Sequence, residues 1–89
     1  MTVSRKVLIA NRRGLHARAS AKFVTLATQQ PIPVQVSKGG SAVTGTSIMG
    51  LMMLGAAKGD TITISAQGDG ADAVVATMCE LVEAKFGED

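Results

Sequence analysis

The run Thr61-Ile62-Thr63-Ile64-Ser65-Ala66 decides the fold. Ile62, Ile64 and Ala66 fall on one side of an extended chain and Thr61, Thr63 and Ser65 on the other, the period-two pattern of a half-buried strand. Upstream, Lys58-Gly59-Asp60 closes a short apolar segment that Ser47 opens; Ser at such a position caps free backbone N–H groups, so a short helix is expected from residue 48. Further upstream, Lys38-Gly39-Gly40 is a turn signal between Ile32, Val34 and Val36, which alternate with polar residues, and a short return strand over 41–45; together they predict a hairpin. Downstream, Gly68-Asp69-Gly70 turns the chain into a last helix whose apolar stripe runs through Val74, Val75, Met78, Leu81, Val82 and Phe86.

Two elements precede the hairpin. Val3, Val7 and Ile9 share one face of a first strand, with Ser4 and Lys6 on the other. Asn11-Arg12-Arg13-Gly14 breaks it, and Gly14 can adopt positive φ without a Cβ penalty. From Ala17 to about Gln29 the residues favour a helix, with Ala19, Phe23, Leu26 and Ala27 on its core face and Lys22 and Thr25 pointing elsewhere; Pro31 and Pro33 end it. The order is β-α-β-β-α-β-α. A helical crossover makes the first two strands parallel, and the Thr61–Ala66 strand inserts antiparallel between them. The expectation is a four-stranded sheet, order 1-4-2-3, with the helices on one face: an α+β sandwich in one domain spanning residues 1–89.

With 89 residues, 46% of them hydrophobic and 18% charged, the chain is apolar enough to fold, which excludes wholesale disorder. A single Cys, Cys79, excludes an internal disulfide, and one Cys with one His leaves at most two ligands for structural zinc; no metal and no cofactor is expected. Val7–Ala10 is too short for a signal-peptide core and 48–57 too short to span a bilayer, so a cytoplasmic protein with a reduced thiol is the default. The net charge of +2 hides a division: residues 1–59 hold eight Lys or Arg and no acid, and residues 60–89 hold seven acids and only Lys85. The split of +8 against −6 suggests an acidic partner or ligand for one surface. The acids belong mainly to the last helix and its approach, and are expected away from the basic surface.

The one histidine, His16, stands where the first helix starts. A helix N-terminus has free N–H groups and partial positive charge, so it favours an anion. Arg18 is close enough to share a bound phosphate through its forked donors. A neutral imidazole is nucleophilic and can carry a covalent group. Spacing alone leaves open that His16 merely caps the helix. No carboxylate lies in residues 1–59 to orient it, and Asp60 could approach only through the fold. There is no phosphate-binding Gly-x-x-x-x-Gly-Lys-Ser/Thr loop, so an ATP-using enzyme is disfavoured.

In Ser47-Ile48-Met49-Gly50-Leu51-Met52-Met53-Leu54, Ile48, Leu51 and Leu54 recur at three, while Met49, Met52 and Met53 form another face. A short helix cannot readily bury both, so an exposed Met surface suited to adaptable protein docking is expected; a wider core or a dimer seam is the alternative. Ser47 reads first as a cap. As a phosphorylation site it would place about two negative charges beside the Met face and weaken docking of an acidic partner.

These segments resemble a known family. Asn11-Arg12-Arg13-Gly14-Leu15-His16-Ala17-Arg18 is similar to the phosphorylation motif of HPr, the histidine-containing phosphocarrier of the bacterial phosphotransferase system; Thr46-Ser47-Ile48-Met49-Gly50-Leu51 resembles its regulatory-serine motif and Lys58–Ile64 its fourth strand. The resemblance implies an open-faced sandwich. It implies that His16 accepts a phosphoryl group on Nδ1 from phosphorylated enzyme I and donates it to enzyme IIA domains in sugar uptake, with Arg18 stabilising the phosphate. Ser47 would be the position used by HPr kinase/phosphorylase, and Lys22, Ile48, Met49, Met52 and Met53 the docking residues. The chain would be a monomer and a carrier, covalently phosphorylated without being an autonomous catalyst. It departs from the family at Ala19, where Pro is common, and at Thr46, where many relatives have Lys; Ala19 restores an N–H near the phosphate and raises the nitrogen-related regulatory branch of the same system as an alternative to sugar uptake.

A small nucleic-acid-binding domain is the reading from another class, motivated by the basic first 59 residues. Against it, Phe23 and Phe86 are the only aromatics and both fall on apolar helix faces, which leaves no stacking platform for bases.

Overall fold

The computed structural model describes residues 1–88. Its elements are β1 (Thr2–Leu8), α1 (Ala17–Thr28), β2 (Gln35–Lys38), β3 (Ser41–Thr44), α2 (Ile48–Met53), β4 (Thr61–Gln67) and α3 (Ala71–Glu83), followed by a single 3-10 turn at Lys85–Gly87. The four strands form one sheet in the order β1-β4-β2-β3, every neighbouring pair antiparallel. β4 lies between β1 and β2, and the face its alternation marks is the buried one: Ile62 faces Val7 on β1, and Ile64 faces Val36 on β2. Ile62, Ile64, Val36, Val7 and Ala66 are all buried under the helices. Their neighbours Ser4, Lys6, Gln35 and Thr61 are exposed on the other face, so the sandwich is open on that side.

α1 and α3 supply the covering layer. α1 buries Ala19, Ser20, Phe23 and Ala27, and α3 buries Val74, Val75, Met78, Cys79 and Val82. Each fully buried Ile, Val, Phe or Met side chain here contributes about 1.5–3 kcal/mol. α2 packs against α1 and β3. Burial raises the Cys79 thiol above its ordinary range, with Glu83 adding to the shift and Arg5 opposing it.

Two expectations need correction. The second strand is shorter than the alternation from Ile32 suggests, because β2 starts at Gln35. Val34 is nevertheless buried, and its carbonyl accepts from the Gly45 N–H at 2.7 Å. Pro33 has no N–H to give a ladder, so the alternating burial continues outside the strand. The last helix stops at Glu83, and Phe86 is not on it. Lys85 and Phe86 take φ of 57° and 56°, a left-handed turn that costs non-glycine residues on the order of 1–3 kcal/mol each. The turn swings the Phe86 ring back into the core, where it is 1% exposed. Burial of the ring is the gain that offsets the strained backbone.

Candidate functional site

The loop from Asn11 to Leu15 sets the position of everything at this end of α1. Gly14 has φ of 63°, and its own N–H bonds back to the Asn11 carbonyl at 3.2 Å. Leu15 N–H donates to the Ala56 carbonyl at 2.9 Å, tying the loop to the chain after α2. The Leu15 side chain is buried, which leaves the next residue at the rim. Asn11 is completely buried; its Nδ2 donates to the Gly14 carbonyl at 2.8 Å and holds the turn from inside. Its Oδ1 has no partner among the described residues, yet reversing the amide would set that oxygen against two others.

His16 is the N-cap residue of α1, but its side chain makes no capping bond. The first helical bond runs from Ser20 N–H to the His16 carbonyl at 2.9 Å, so the Ala17, Arg18 and Ala19 N–H groups precede it. The bland possibility, an imidazole that caps its helix, is therefore not realised. The ring is partly exposed and borders an opening lined by Arg12, Arg13, Arg18 and Glu88.

Glu88 overturns the expectation that the acids lie away from the basic surface. Its Oε2 is 2.7 Å from His16 Nε2, and its Oε1 accepts from Asn11 Nδ2 at 3.1 Å. The Asn11 hydrogen bond, then the His16 ring and the Lys22 charge, hold the Glu88 carboxyl below the usual carboxylate range. The orienting carboxylate missing from residues 1–59 thus arrives from the far end of the chain. Asp60, the alternative considered from the sequence, instead accepts from Ala57 N–H at 2.9 Å and lies 3.7 Å from Lys38 Nζ.

The other expected residues separate into two groups. Arg18 shares the opening with His16, whereas Lys22 turns its ammonium to the Phe86 carbonyl at 2.7 Å and so anchors the C-terminal turn. Ser47 Oγ accepts from the Gly50 N–H at 2.9 Å, the capping bond read from the sequence. On α2, Leu51 is buried, while Met49 and Met53 are 71% and 80% exposed and Ile48 and Met52 lie near 40%. Ile48 therefore belongs with the methionines on the open face and not with Leu51. Asn11 and Glu88 are the site residues that sequence reasoning missed. The buried Asn ahead of a left-handed Gly left a local trace, and Glu88 left none.

Across residues 3–84 the chain matches the family model described as the PTS HPr component phosphorylation site. It is 43% identical over 86 residues, 97% of each chain, to phosphocarrier protein HPr of Neisseria meningitidis. It is 40% identical over 86 residues to phosphocarrier protein NPr of Shewanella violacea, covering 97% of this chain and 94% of that one. The structure of HPr-C-His from Thermoanaerobacter tengcongensis superposes with a TM-score of 0.90 at 37% identity, over 98% of both chains. The fold and site thus define a phosphocarrier of the phosphotransferase system. The chain belongs to the HPr family. No helix among the described residues is long and apolar enough to cross a membrane.

Proposed function

We propose that His16 is the phosphoryl acceptor, taking the group on Nδ1 from phosphorylated enzyme I and passing it to enzyme IIA domains. The observation that carries this reading is the imidazole at the start of α1, partly exposed, uncommitted to capping, and facing an opening it shares with three arginines. The free N–H groups of Ala17, Arg18 and Ala19 and the Arg18 guanidinium suit a dianionic phosphoryl group. Transfer is a carrier step: the donor and acceptor proteins supply the rest of each active site, and this chain needs one imidazole and a docking face. Labelled phosphoenolpyruvate and enzyme I test it. Acid-labile, base-stable label is expected on the wild type and not on His16→Ala; label persisting in His16→Ala overturns the assignment.

Ile48, Met49, Met52 and Met53 form the docking face, and the protein acts as a monomer. Ser47 is the regulatory position, for a HPr kinase/phosphorylase where one is present; a phosphate there would add negative charge beside the methionines. Sugar uptake is the downstream process. The nitrogen-related branch is the second reading, favoured by the similarity to an NPr and by Ala19 directly after Arg18. Offering the phosphorylated protein enzyme IIA domains of each branch decides between them: the domain that is labelled faster marks the branch.

A further inference from the structure

Glu88 lies beyond the residues that the family model matches, yet it touches the ring of the proposed phosphoryl acceptor. We propose that Glu88 is a positioning residue for phosphoryl transfer: it holds the proton of His16 on Nε2, fixes the plane of the ring, and leaves the Nδ1 lone pair as the nucleophile. The proposal deepens the carrier reading above and rests on it.

Three observations carry the proposal. The first is the contact, Oε2 to Nε2 at 2.7 Å, a charge-assisted distance. An ionised carboxylate can only accept, so the imidazole must donate, and a neutral ring that donates from Nε2 carries its lone pair on Nδ1. Among the described residues no hydrogen bond to Nδ1 is present. The second is the support behind the carboxylate. Asn11 Nδ2 donates to its other oxygen at 3.1 Å and to the Gly14 carbonyl at 2.8 Å, so one buried amide links Glu88 to the turn that sets His16 in place. The third is the tether. The Phe86 ring is buried, its carbonyl accepts from Lys22 Nζ at 2.7 Å, and Lys85 and Phe86 hold left-handed φ values that bulky residues adopt only when their surroundings enforce them. A free tail would relax this backbone. The turn is held, and two residues after Phe86 it delivers a carboxylate to the imidazole.

The consequence for chemistry follows. Nδ1 attacks phosphorus and forms the N–P bond with its lone pair. The bond from phosphorus to the donor's atom breaks, and its electron pair leaves with the donor. No proton needs to move: the ring keeps its Nε2–H and gains a positive charge, next to the Glu88 carboxylate. In the return step the same charge makes the ring a good leaving group. The arrangement follows the logic by which a carboxylate fixes tautomer and stabilises imidazolium in hydrolytic triads, here with the nucleophile on the ring itself. Arg12, Arg13 and Arg18 line the same opening and oppose a positive ring, so without Glu88 that charge would face cations alone.

Ring 15N spectra of wild type, Glu88→Ala and Glu88→Gln at about pH 8.5, well above the ordinary histidine range near 6.5, read the tautomer directly. Wild type is expected to hold the proton on Nε2, Glu88→Ala to show a mixture of both tautomers, and Glu88→Gln, whose amide oxygen still accepts, to return toward wild type. The initial rate of labelling by enzyme I should fall about tenfold in Glu88→Ala, with part of the loss recovered in Glu88→Gln. Equal tautomer populations in wild type and Glu88→Ala, a wild-type proton on Nδ1, or a changed tautomer with an unchanged rate would each overturn the role of Glu88 while leaving His16 as the acceptor. A wild type that takes no label overturns the carrier reading, and the spectra then decide separately whether Glu88 holds the ring.

Discussion

A Cβ placed on Gly14 would come within 2.3 Å of the Ala56 carbonyl oxygen, the same oxygen that accepts the Leu15 N–H. The turn before His16 thus passes so close to the chain after α2 that only a residue without a side chain fits. Its φ of 63° imposes the same choice independently. Gly14→Ala is expected to cost about 2 kcal/mol or more, because the neighbour is backbone and cannot swing aside. That corresponds to a fall of about 10 °C in Tm for a domain of this size. Thermal unfolding followed by circular dichroism checks it, and an unchanged Tm would show that the loop re-forms elsewhere.

The cap at Ser47 separates two roles of one hydroxyl. Ser47→Ala removes the acceptor for the Gly50 N–H and should lower stability by about 1 kcal/mol. Ser47→Asp keeps an acceptor at the cap and adds a charge at the helix N-terminus, so unfolding by urea should show little loss. The same variant should nevertheless be labelled more slowly by enzyme I, since its charge sits beside the exposed methionines. An unchanged labelling rate would leave Ser47 as a cap alone.

Met49 is 71% exposed and touches little of the core, so Met49→Glu should leave stability within about 0.5 kcal/mol of wild type. If α2 is the docking face, the variant raises the Michaelis constant for transfer from enzyme I and leaves the saturated rate near normal. Parallel loss of both quantities would point to a changed site in place of changed docking.

Phe86→Ala removes a ring that is 1% exposed and should cost about 3–5 kcal/mol. The loss should exceed that of any single substitution at Glu88, because the ring pins the turn and the carboxylate only uses it. Urea unfolding of the two variants side by side tests the order; equal losses would mean that the C-terminal turn is held by its polar contacts.

Acid should release the Glu88 contact. Its carboxyl is held below its ordinary value of 4.5 in the folded protein, so the contribution to stability is fully present above that value. It fades as pH falls through the lowered folded value. The carboxyl carbon shift of Glu88 should therefore show its own transition centred below 4.5. A Glu88 carboxyl transition centred above 4.5 would contradict the sign of the shift.

Local patterns carried most of the architecture. The strict alternation in Thr61–Ala66 marks a strand with one buried and one open face, and β4 has that burial between β1 and β2. Ser47 as a cap and Gly14 as a left-handed turn follow from backbone chemistry at single positions, and both are realised. Where the pattern misled, a longer-range gain intervened. Alternation through Ile32 and Val34 reported burial and not pairing, since Pro33 interrupts the ladder while Val34 still packs. Phe86 fitted the helical stripe of α3, but the chain leaves that helix at Glu83 and reaches the core by a left-handed turn. Periodicity registers that a side chain is buried and is silent on which backbone path buries it.

The division of charge shows the same boundary. The sequence by itself determined that an unpaired-looking basic surface surrounds a single histidine at a helix start, because those residues are neighbours in the chain and share one loop. That one of the acids closes on the histidine was decided only by the tertiary structure. The contact joins residues 72 apart. It depends on where α3 ends, on two strained residues that reverse the chain, and on a buried asparagine that receives the carboxylate. Neither partner's neighbourhood determines the contact alone; it needs the two ends of the chain brought together, as they are with Phe86 packed into the core.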